Sequence, residues 1–413
     1  MEYFVYKYDI GCAAGGERAA LEDSIMRKGS PVAAGSKMLE GFVSPIGATA
    51  VTRLEEAGIS IIGKTRMDEF GASGLFDESI GDRGEGSSGA VAAVADGAAD
   101  FALSNDYTGA VGVEAAACGL YYIHPTYGTV SRYGLIPAVP SMDQIGVVCK
   151  TPEEGFRVLA TIAGQDPKDG AMICEGSLLC RCGAMAGGEA KTAALRIGVP
   201  ANVLAKIPAA PDIAGFCKNH ETVEFELKYY DVCAQVMQIL CCAELCNCIS
   251  RYDGIKFGYR AKDYKGLREL YTKSRTQALG ADAKLAALAG AMVLSQEYYV
   301  RYYDKAMRIR RLIKESLEFD RYDAIAIPAL SGSGARDVQS GAQDVQSGAR
   351  DVQSGARDMQ SGAHDAEREI HGLALRALPR LCGLPAITAP FQGGGITLIA
   401  GAGREDVLFK AVK

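Results

Sequence analysis

The chain has 413 residues, of which 48% are hydrophobic and 23% are charged. This balance is typical of a folded globular protein and excludes a chain that is disordered throughout. The net charge of −6 gives no support for a primary nucleic-acid binder, although a local basic patch remains compatible with it.

The first half of the chain shows three elements with clear signals after a poorly patterned, helix-like start over 1–30. Helical spacing of apolar residues predicts a helix over 45–57, with Ser44 as its N-cap. A β-branched run predicts a strand over 59–62, and an Ala-rich run predicts a tightly packed helix over 90–99.

The second half alternates helices with short apolar runs. A helix over 152–162 is predicted from Thr151, a typical N-cap, and from two Glu in the first turn. A basic helix is predicted over 298–317. Strands are predicted at 195–199, 324–328 and 385–390. Helices that alternate with buried strands indicate the α/β class.

The region 333–367 differs from the rest because the unit Ser-Gly-Ala-x-Asp-x-Gln recurs with a period of seven. The heptad spacing allows a coiled coil, but a Gly in every heptad costs about 1 kcal/mol relative to Ala. We therefore favour a flexible or weakly helical low-complexity insertion over a coiled coil.

The composition also bears on location and on metals. The first nine residues include three charged ones, and no run of about 18 uncharged apolar residues occurs, so we expect no export signal or membrane span. An odd number of Cys, 13, favours reduced thiols and a cytoplasmic location. The densest group, Cys241 to Cys248, allows a zinc site, but buried thiols on a helix over 236–249 are the favoured interpretation.

One motif is a misleading match. Gly58-Ile-Ser-Ile-Ile-Gly63-Lys64-Thr65 fits the phosphate-loop pattern G-x-x-x-x-G-K-[ST]. A phosphate loop follows its strand, whereas the β-branched residues here place the strand inside the motif. Nucleotide binding is therefore disfavoured.

Several other stretches together carry a family resemblance. They are a Gly/Ser-rich loop over 84–89, a small-residue stretch over 101–119, and the pieces Ser36-Lys-Met-Leu-Glu-Gly-Phe42, Ile61-Ile-Gly-Lys-Thr-Arg-Met-Asp-Glu-Phe70, Val130-Ser-Arg-Tyr-Gly-Leu135, Asp143-Gln-Ile-Gly146, Arg251-Tyr-Asp-Gly254 and Gly383-Leu-Pro-Ala-Ile387. In this order they resemble the amidase signature family, and within it the A-type component of the glutamyl-tRNA(Gln)/aspartyl-tRNA(Asn) amidotransferase.

The resemblance implies a single domain over 1–413 with a mixed β-sheet covered by helices on both faces, interrupted by the repeat. It also implies glutamine as the substrate, the amidotransferase subunits B and C as partners, and contact with tRNA only through a partner. Neither a cofactor nor a metal is implied. Family members hydrolyse the amide with a nucleophilic Ser, a bridging Ser held by a cis peptide bond, and a neutral Lys as base.

Aligned residue by residue, the resemblance places the bridging Ser at Ser87 and the nucleophile at Ala110, which has no group to attack with. The family's Pro-Ile-Ala-Ile-Lys-Asp-Asn run, which holds the Lys, is expected to be missing before Ser36. The remaining site positions belong to the oxyanion loop or support it: Tyr107, Thr108 and Gly109, with Ser88 and Asp106.

Positions that would grip the charged ends of glutamine are also changed. The family's Arg after the nucleophile is Gly112, an Arg pair becomes Leu285-Ala286, and an Asn-Asp-Ile becomes Gly372-Leu373-Ala374. We therefore expect a catalytically impaired protein. Three alternatives stay open: hydrolysis through Thr108 or Ser104, a scaffold that binds partners, and a decaying gene copy.

Overall fold

The computed structural model describes residues 3–9, 16–76, 88–173, 194–207, 211–330, 370–392 and 394–413. The repeat at 333–367 and Ser87 lie outside these residues. The described strands are β1 Phe4–Lys7, β2 Arg18–Glu22, β3 Ser60–Thr65, β4 Phe101–Asn105, β5 Tyr121–His124, β6 Ile145–Cys149, β7 Arg196–Pro200, β8 Glu221–Phe225, β9 Ala324–Ala329, β10 Ala386–Phe391 and β11 Gly394–Ala400.

The helices lie between these strands. They are α1 Thr49–Glu56, α2 Gly89–Ala95, α3 Ala110–Ala117, α4 Pro152–Ile162, α5 Ala201–Leu204, α6 Ile213–Phe216, α7 Tyr230–Ile249, α8 Gly266–Ala278, α9 Ala281–Val293, α10 Lys305–Glu315, α11 at 370–382 and α12 Glu405–Ala411. A π-helical turn, Val300–Asp304, leads directly into α10.

The strands form one 11-stranded sheet in the order β1-β3-β2-β4-β6-β5-β10-β11-β9-β7-β8. β2 runs parallel to both β3 and β4, and β7 runs parallel to β8 and β9, whereas the other pairs are antiparallel. The sheet is therefore mixed, as the resemblance implied, and the α/β prediction is confirmed.

Helices cover both faces because successive side chains of a strand point to opposite sides. On β6, Val147 belongs to the core that includes Phe156 of α4, whereas Val148 belongs to the core that includes Ala115 of α3. The third and largest core is built around α7. α7 is the one described helix that is long and apolar enough to cross a membrane, and 61% of its apolar window is buried inside the fold.

Several local predictions are confirmed. Helix α4 spans the predicted residues, and Thr151 caps it by accepting a hydrogen bond from Glu154 N–H at 3.3 Å. Strands form at 60–65, 196–200, 324–329 and 386–391, close to the predicted runs. Cys241, Cys242 and Cys248 lie buried on α7, which fits structural thiols.

Two N-terminal predictions are wrong. The first 30 residues were expected to be helical, but they contain β1 and β2. The helix expected from residue 45 begins at Thr49. Ser44 does not cap it, because the Ser44 hydroxyl forms a local turn with both the N–H and the C=O of Ile46.

Candidate active site

The loop that connects β4 to α3 holds most of the predicted site residues. Asp106 accepts hydrogen bonds from Val111 N–H at 3.3 Å and Gly112 N–H at 3.1 Å, which closes the loop onto the first turn of α3. Gly109 adopts a left-handed conformation with φ of 82°. A Cβ on Gly109 would lie 2.6 Å from the Arg376 Cβ, so both the backbone angle and the space require glycine.

Ala110 is the first residue of α3 and is partly exposed. Its side chain is a methyl group, so this position supplies neither a nucleophile nor a proton. The α3 N-terminus still presents free backbone N–H groups, which favour negative charge at this point. The arrangement therefore retains an electrostatic feature of an acyl-transfer site without the attacking atom.

The hydroxyl groups considered as substitute nucleophiles are both buried. Thr108 Oγ1 accepts a hydrogen bond from Ala110 N–H at 3.4 Å, and Thr108 packs so tightly on Gly74 that a Cβ there would lie 2.6 Å from this oxygen. Ser104 is fully buried within β4, where its hydroxyl donates to Glu22. A substrate carbonyl could reach Ser104 only if the sheet opened.

Tyr107 and Asp106 anchor the loop to other parts of the chain. The Tyr107 hydroxyl donates to the C=O of Phe70 at 2.9 Å, and burial raises the pKa of this hydroxyl well above its ordinary value. Asp106 forms an ion pair with Arg380 of α11 at 3.0 Å, and Arg380 also donates to the Asp106 C=O. Sequence patterns did not indicate Arg380, and the nearest signal was its place just before the Gly383-Leu-Pro motif.

Ser88 borders the second signature loop. It caps α2, and its backbone N–H donates to both carboxylate oxygens of Glu114 at 2.9 Å. Burial raises the pKa of Glu114 to about 7, opposed by this N–H. Glu114 therefore ties the end of the loop that contains Ser87 to helix α3.

The structure also brings Glu22 to the site, a residue that the sequence did not single out. Glu22 ends β2 beside β4, where it accepts hydrogen bonds from Ser24 at 2.5 Å, from the Asn105 N–H at 3.3 Å and from Ser104. Burial raises the pKa of its carboxyl to about 7, and the hydroxyl donors oppose that shift. A buried acid thus lies one strand away from the signature loop.

A buried lysine lies on the neighbouring strand β3. Lys64 is fully buried, and its ammonium donates to the Ile25 C=O. Burial lowers the pKa of Lys64 to about 8, opposed by the nearby carboxylates of Asp23 and Glu22. Asp23 in turn accepts hydrogen bonds from the Ala33 N–H at 3.1 Å and the Gly35 N–H at 3.4 Å. Since residues 60–65 are strand, this lysine is part of the sheet and not of a phosphate loop.

The positions expected to grip glutamine hold small or apolar groups. Gly112 faces the centre of the sheet, where a Cβ would lie 3.0 Å from the Thr388 hydroxyl. Ala286 is fully buried in the core around α7, and Leu373 and Ala374 are buried in the same core. None of these residues can form an ion pair with an amino acid substrate. Among the described residues, no group of three or more His, Cys, Asp or Glu could hold a metal ion.

The carboxyl of Glu22 makes stability depend on pH. Its pKa is about 7 in the fold, against an ordinary value of 4.5, so the folded protein binds this proton more tightly than the unfolded chain. This stabilisation is fully present below about pH 4.5 and is lost as pH rises through about 7. Between about pH 5 and pH 8, the Glu22→Gln variant should lose about 2–3 kcal/mol less unfolding free energy than the unaltered chain.

Urea denaturation across this pH range measures the difference. Glu114 and Asp143 have pKa values raised to about 7 and about 6, and they contribute to both proteins equally. The comparison therefore isolates Glu22. Parallel pH profiles for the two proteins would show that Glu22 is not held as a buried acid.

Comparisons with known proteins agree with this architecture. The family model described as Amidase matches residues 18–347. The A-type component of glutamyl-tRNA(Gln) amidotransferase from Lachnoclostridium phytofermentans is 35% identical over 342 residues, which cover 78% of this chain and 68% of that protein. The protein of the same name from Maridesulfovibrio salexigens is 37% identical over 336 residues, which cover 76% and 68%.

A solved structure shows the same fold. The crystal structure of the corresponding glutamyl-tRNA(Gln) amidotransferase component from Thermotoga maritima superposes with a TM-score of 0.67 at 21% identity. The match covers 99% of this chain and 86% of that chain.

Proposed function

Because this chain belongs to the amidase family, we propose that it is the A-type component of a tRNA-dependent amidotransferase in which hydrolysis of glutamine is impaired. One observation carries the proposal. Ala110 stands at the start of α3, the place that the resemblance gives to the nucleophilic Ser, and it has no atom that can attack a carbonyl.

The position of the base supports the same conclusion. We expected the family's Lys run to be missing, yet the family model matches from residue 18, where β2 begins. Residues 18–24, Arg-Ala-Ala-Leu-Glu-Asp-Ser, follow the motif Pro-Ile-Ala-Ile-Lys-Asp-Asn with identity at Ala20 and Asp23. We infer that the run is present, with Glu22 at the lysine position.

This exchange reverses the chemistry at that position. A neutral Lys accepts the proton of the attacking hydroxyl, whereas Glu22 already accepts hydrogen bonds from Ser24 and Ser104. Its carboxyl is buried and points these lone pairs at two serines of the sheet edge. Even with a serine restored at position 110, the relay would lack its amine base.

The retained architecture supports an A-type role in a complex. The sheet, the signature loop and the contacts of Asp106, Tyr107 and Ser88 are preserved even though the reacting groups have changed. On the strength of its relatives, we propose subunits B and C of the amidotransferase as partners. In that assembly tRNA would be held by a partner, and glutamine would be the substrate that the chain fails to hydrolyse.

Ammonia release from glutamine tests the proposal. The purified chain should release no ammonia above background, either alone or with its host's B and C subunits. Ala110→Ser and Glu22→Lys should each remain inactive, because losing one member of such a set costs about 10⁶-fold in kcat. The Glu22→Lys/Ala110→Ser variant is the one in which recovery is expected if the altered positions are the cause.

Ser87→Ala in the unaltered chain is the control. Ammonia release by the unaltered chain that Ser87→Ala abolishes would contradict the proposal and require another nucleophile. Absent release combined with stable binding to subunits B and C would leave a scaffold role. Absent release without binding would leave a decaying gene copy.

A further inference from the structure

The segment 251–275 is strongly basic in an acidic protein. It contains eight Lys or Arg and three Asp or Glu, a net charge of +5, in a chain whose net charge is −6. It forms the loop that follows α7 and most of helix α8. Such a concentration of charge creates a local positive potential that the composition of the whole chain conceals.

The positive charge is exposed and unneutralised. Six of the eight basic side chains are exposed, and none has a carboxylate within ion-pair distance among the residues that the structure describes. They are Arg251, Lys256, Arg260, Lys262, Lys265 and Arg268. Elsewhere on the surface, exposed arginines such as Arg18, Arg157 and Arg321 are paired with acids. These six charges are therefore available to an external anion.

The segment is held in a defined conformation. Arg275 donates to the carbonyl oxygens of Ile249 and Tyr252 at 2.9 Å, which fixes the beginning of the loop against α8. The Ala261 N–H donates to the Ser274 hydroxyl at 3.1 Å, and the Tyr259 N–H donates to the Met38 C=O at 3.1 Å. A prearranged surface loses less conformational entropy on binding than a flexible tail.

Aromatic rings lie among the cations. Phe257 and Tyr264 are 41% and 37% exposed. The Arg260 guanidinium lies 5.4 Å from the Tyr264 ring centroid and donates to the Tyr264 hydroxyl at 2.5 Å. Exposed aromatic faces interleaved with cations form the kind of surface on which unpaired bases stack while their phosphates are neutralised.

We propose that the surface formed by residues 251–268, the basic loop, binds a nucleic-acid strand with unpaired bases. Its cations contact the phosphodiester backbone, and Phe257 and Tyr264 stack on bases. The proposal does not depend on whether the chain hydrolyses amides. It adds a direct contact to a chain that was expected to meet nucleic acid through a partner.

A lipid surface fits the basic loop less well. A membrane-bound helix presents its apolar side outward. In α8 the apolar side, Leu270, Ser274 and Ala278, is buried against the protein. An acidic protein partner would use the cations but leave the two exposed rings without a specific role.

Fluorescence anisotropy with fluorescein-labelled single-stranded RNA and DNA of the same sequence tests the proposal, using the full chain. We expect both strands to bind at low salt, and the ratio of the two affinities shows which sugar is preferred. The Lys256→Ala/Lys262→Ala/Lys265→Ala variant should bind at least about tenfold more weakly. Its plot of log Kd against log salt concentration should be shallower by about 2, since each lost phosphate contact removes about 0.7.

The control variant removes the same charge from elsewhere. Arg18→Ala/Arg157→Ala/Arg321→Ala should change Kd less than twofold, because these arginines are paired with acids outside the basic loop. Phe257→Ala/Tyr264→Ala should weaken binding by about tenfold and leave the salt dependence unchanged, as loss of stacking requires. Thermal melting by circular dichroism verifies that all variants fold.

Three results would overturn the proposal. The first is equal weakening by the two triple variants, which would indicate a nonspecific effect of net charge. The second is displacement of the strand by poly-L-glutamate at an equal concentration of charge, which would indicate a general acidic partner. The third is stronger retention of the chain by phosphatidylserine vesicles than by either strand.

Discussion

Replacing Arg380 by Ala is expected to lower the free energy of unfolding by about 3–5 kcal/mol, as measured by urea denaturation. The side chains of Arg380 and Asp106 are 3% and 1% exposed, and their charged atoms lie 3.0 Å apart. The variant leaves the Asp106 carboxylate buried without its cation. Because this pair holds the signature loop on α11, the loop should also become accessible to proteases under native conditions.

An exposed ion pair provides the control for Arg380. Arg311 and Glu315 of α10 lie 2.7 Å apart, and their side chains are 79% and 54% exposed. Arg311→Ala should therefore change the free energy of unfolding by less than about 0.5 kcal/mol. If the two substitutions had similar effects, burial would not be the reason for the strength of the Asp106–Arg380 pair.

Replacing Gly134 by Ala is expected to cost about 2–4 kcal/mol of unfolding free energy. Gly134 has a φ of +84°, and a Cβ there would lie 2.6 Å from the Ala48 backbone nitrogen. The Gly134 C=O also accepts a hydrogen bond from the Met26 N–H at 2.8 Å. A side chain would therefore push apart the junction where α1 begins, and urea denaturation measures the loss.

Gly58 separates the two causes of this expected loss. It has a similar φ of +79°, but nothing lies within 4 Å of the Cβ position. Gly58→Ala should therefore cost about 1 kcal/mol, the value of the left-handed backbone alone. Equal losses at the two glycines would mean that contact with Ala48 contributes nothing.

Elements with strong local signals could be predicted from the sequence. Helix α4 has an N-cap, acidic residues in its first turn and a clear apolar face, and it forms where expected. Strand β2 was missed because Ala19, Ala20 and Leu21 favour helix by intrinsic propensity. Pairing with β3 and β4 on both sides overrides that preference.

The candidate site divides in the same way. Asp106, Gly109 and Ala110 were located because they lie in one contiguous signature stretch. Arg380 was not, because its partner Asp106 is 274 residues away in the chain and only the fold brings the two together. Glu22 escaped notice because a search for a lysine motif passes over an acid, although the following Asp23 gave a usable signal.

The order of strands has a consequence for synthesis of the chain. β10 and β11 are made late, yet they occupy the middle of the sheet between β5 and β9. Until they emerge from the ribosome, β5 and β9 each present an edge of unpaired N–H and C=O groups, which readily pair with other chains. The nascent protein therefore holds two incomplete sheet fragments for most of its translation. Its aggregation during expression should depend on how quickly residues 386–400 become available to join them.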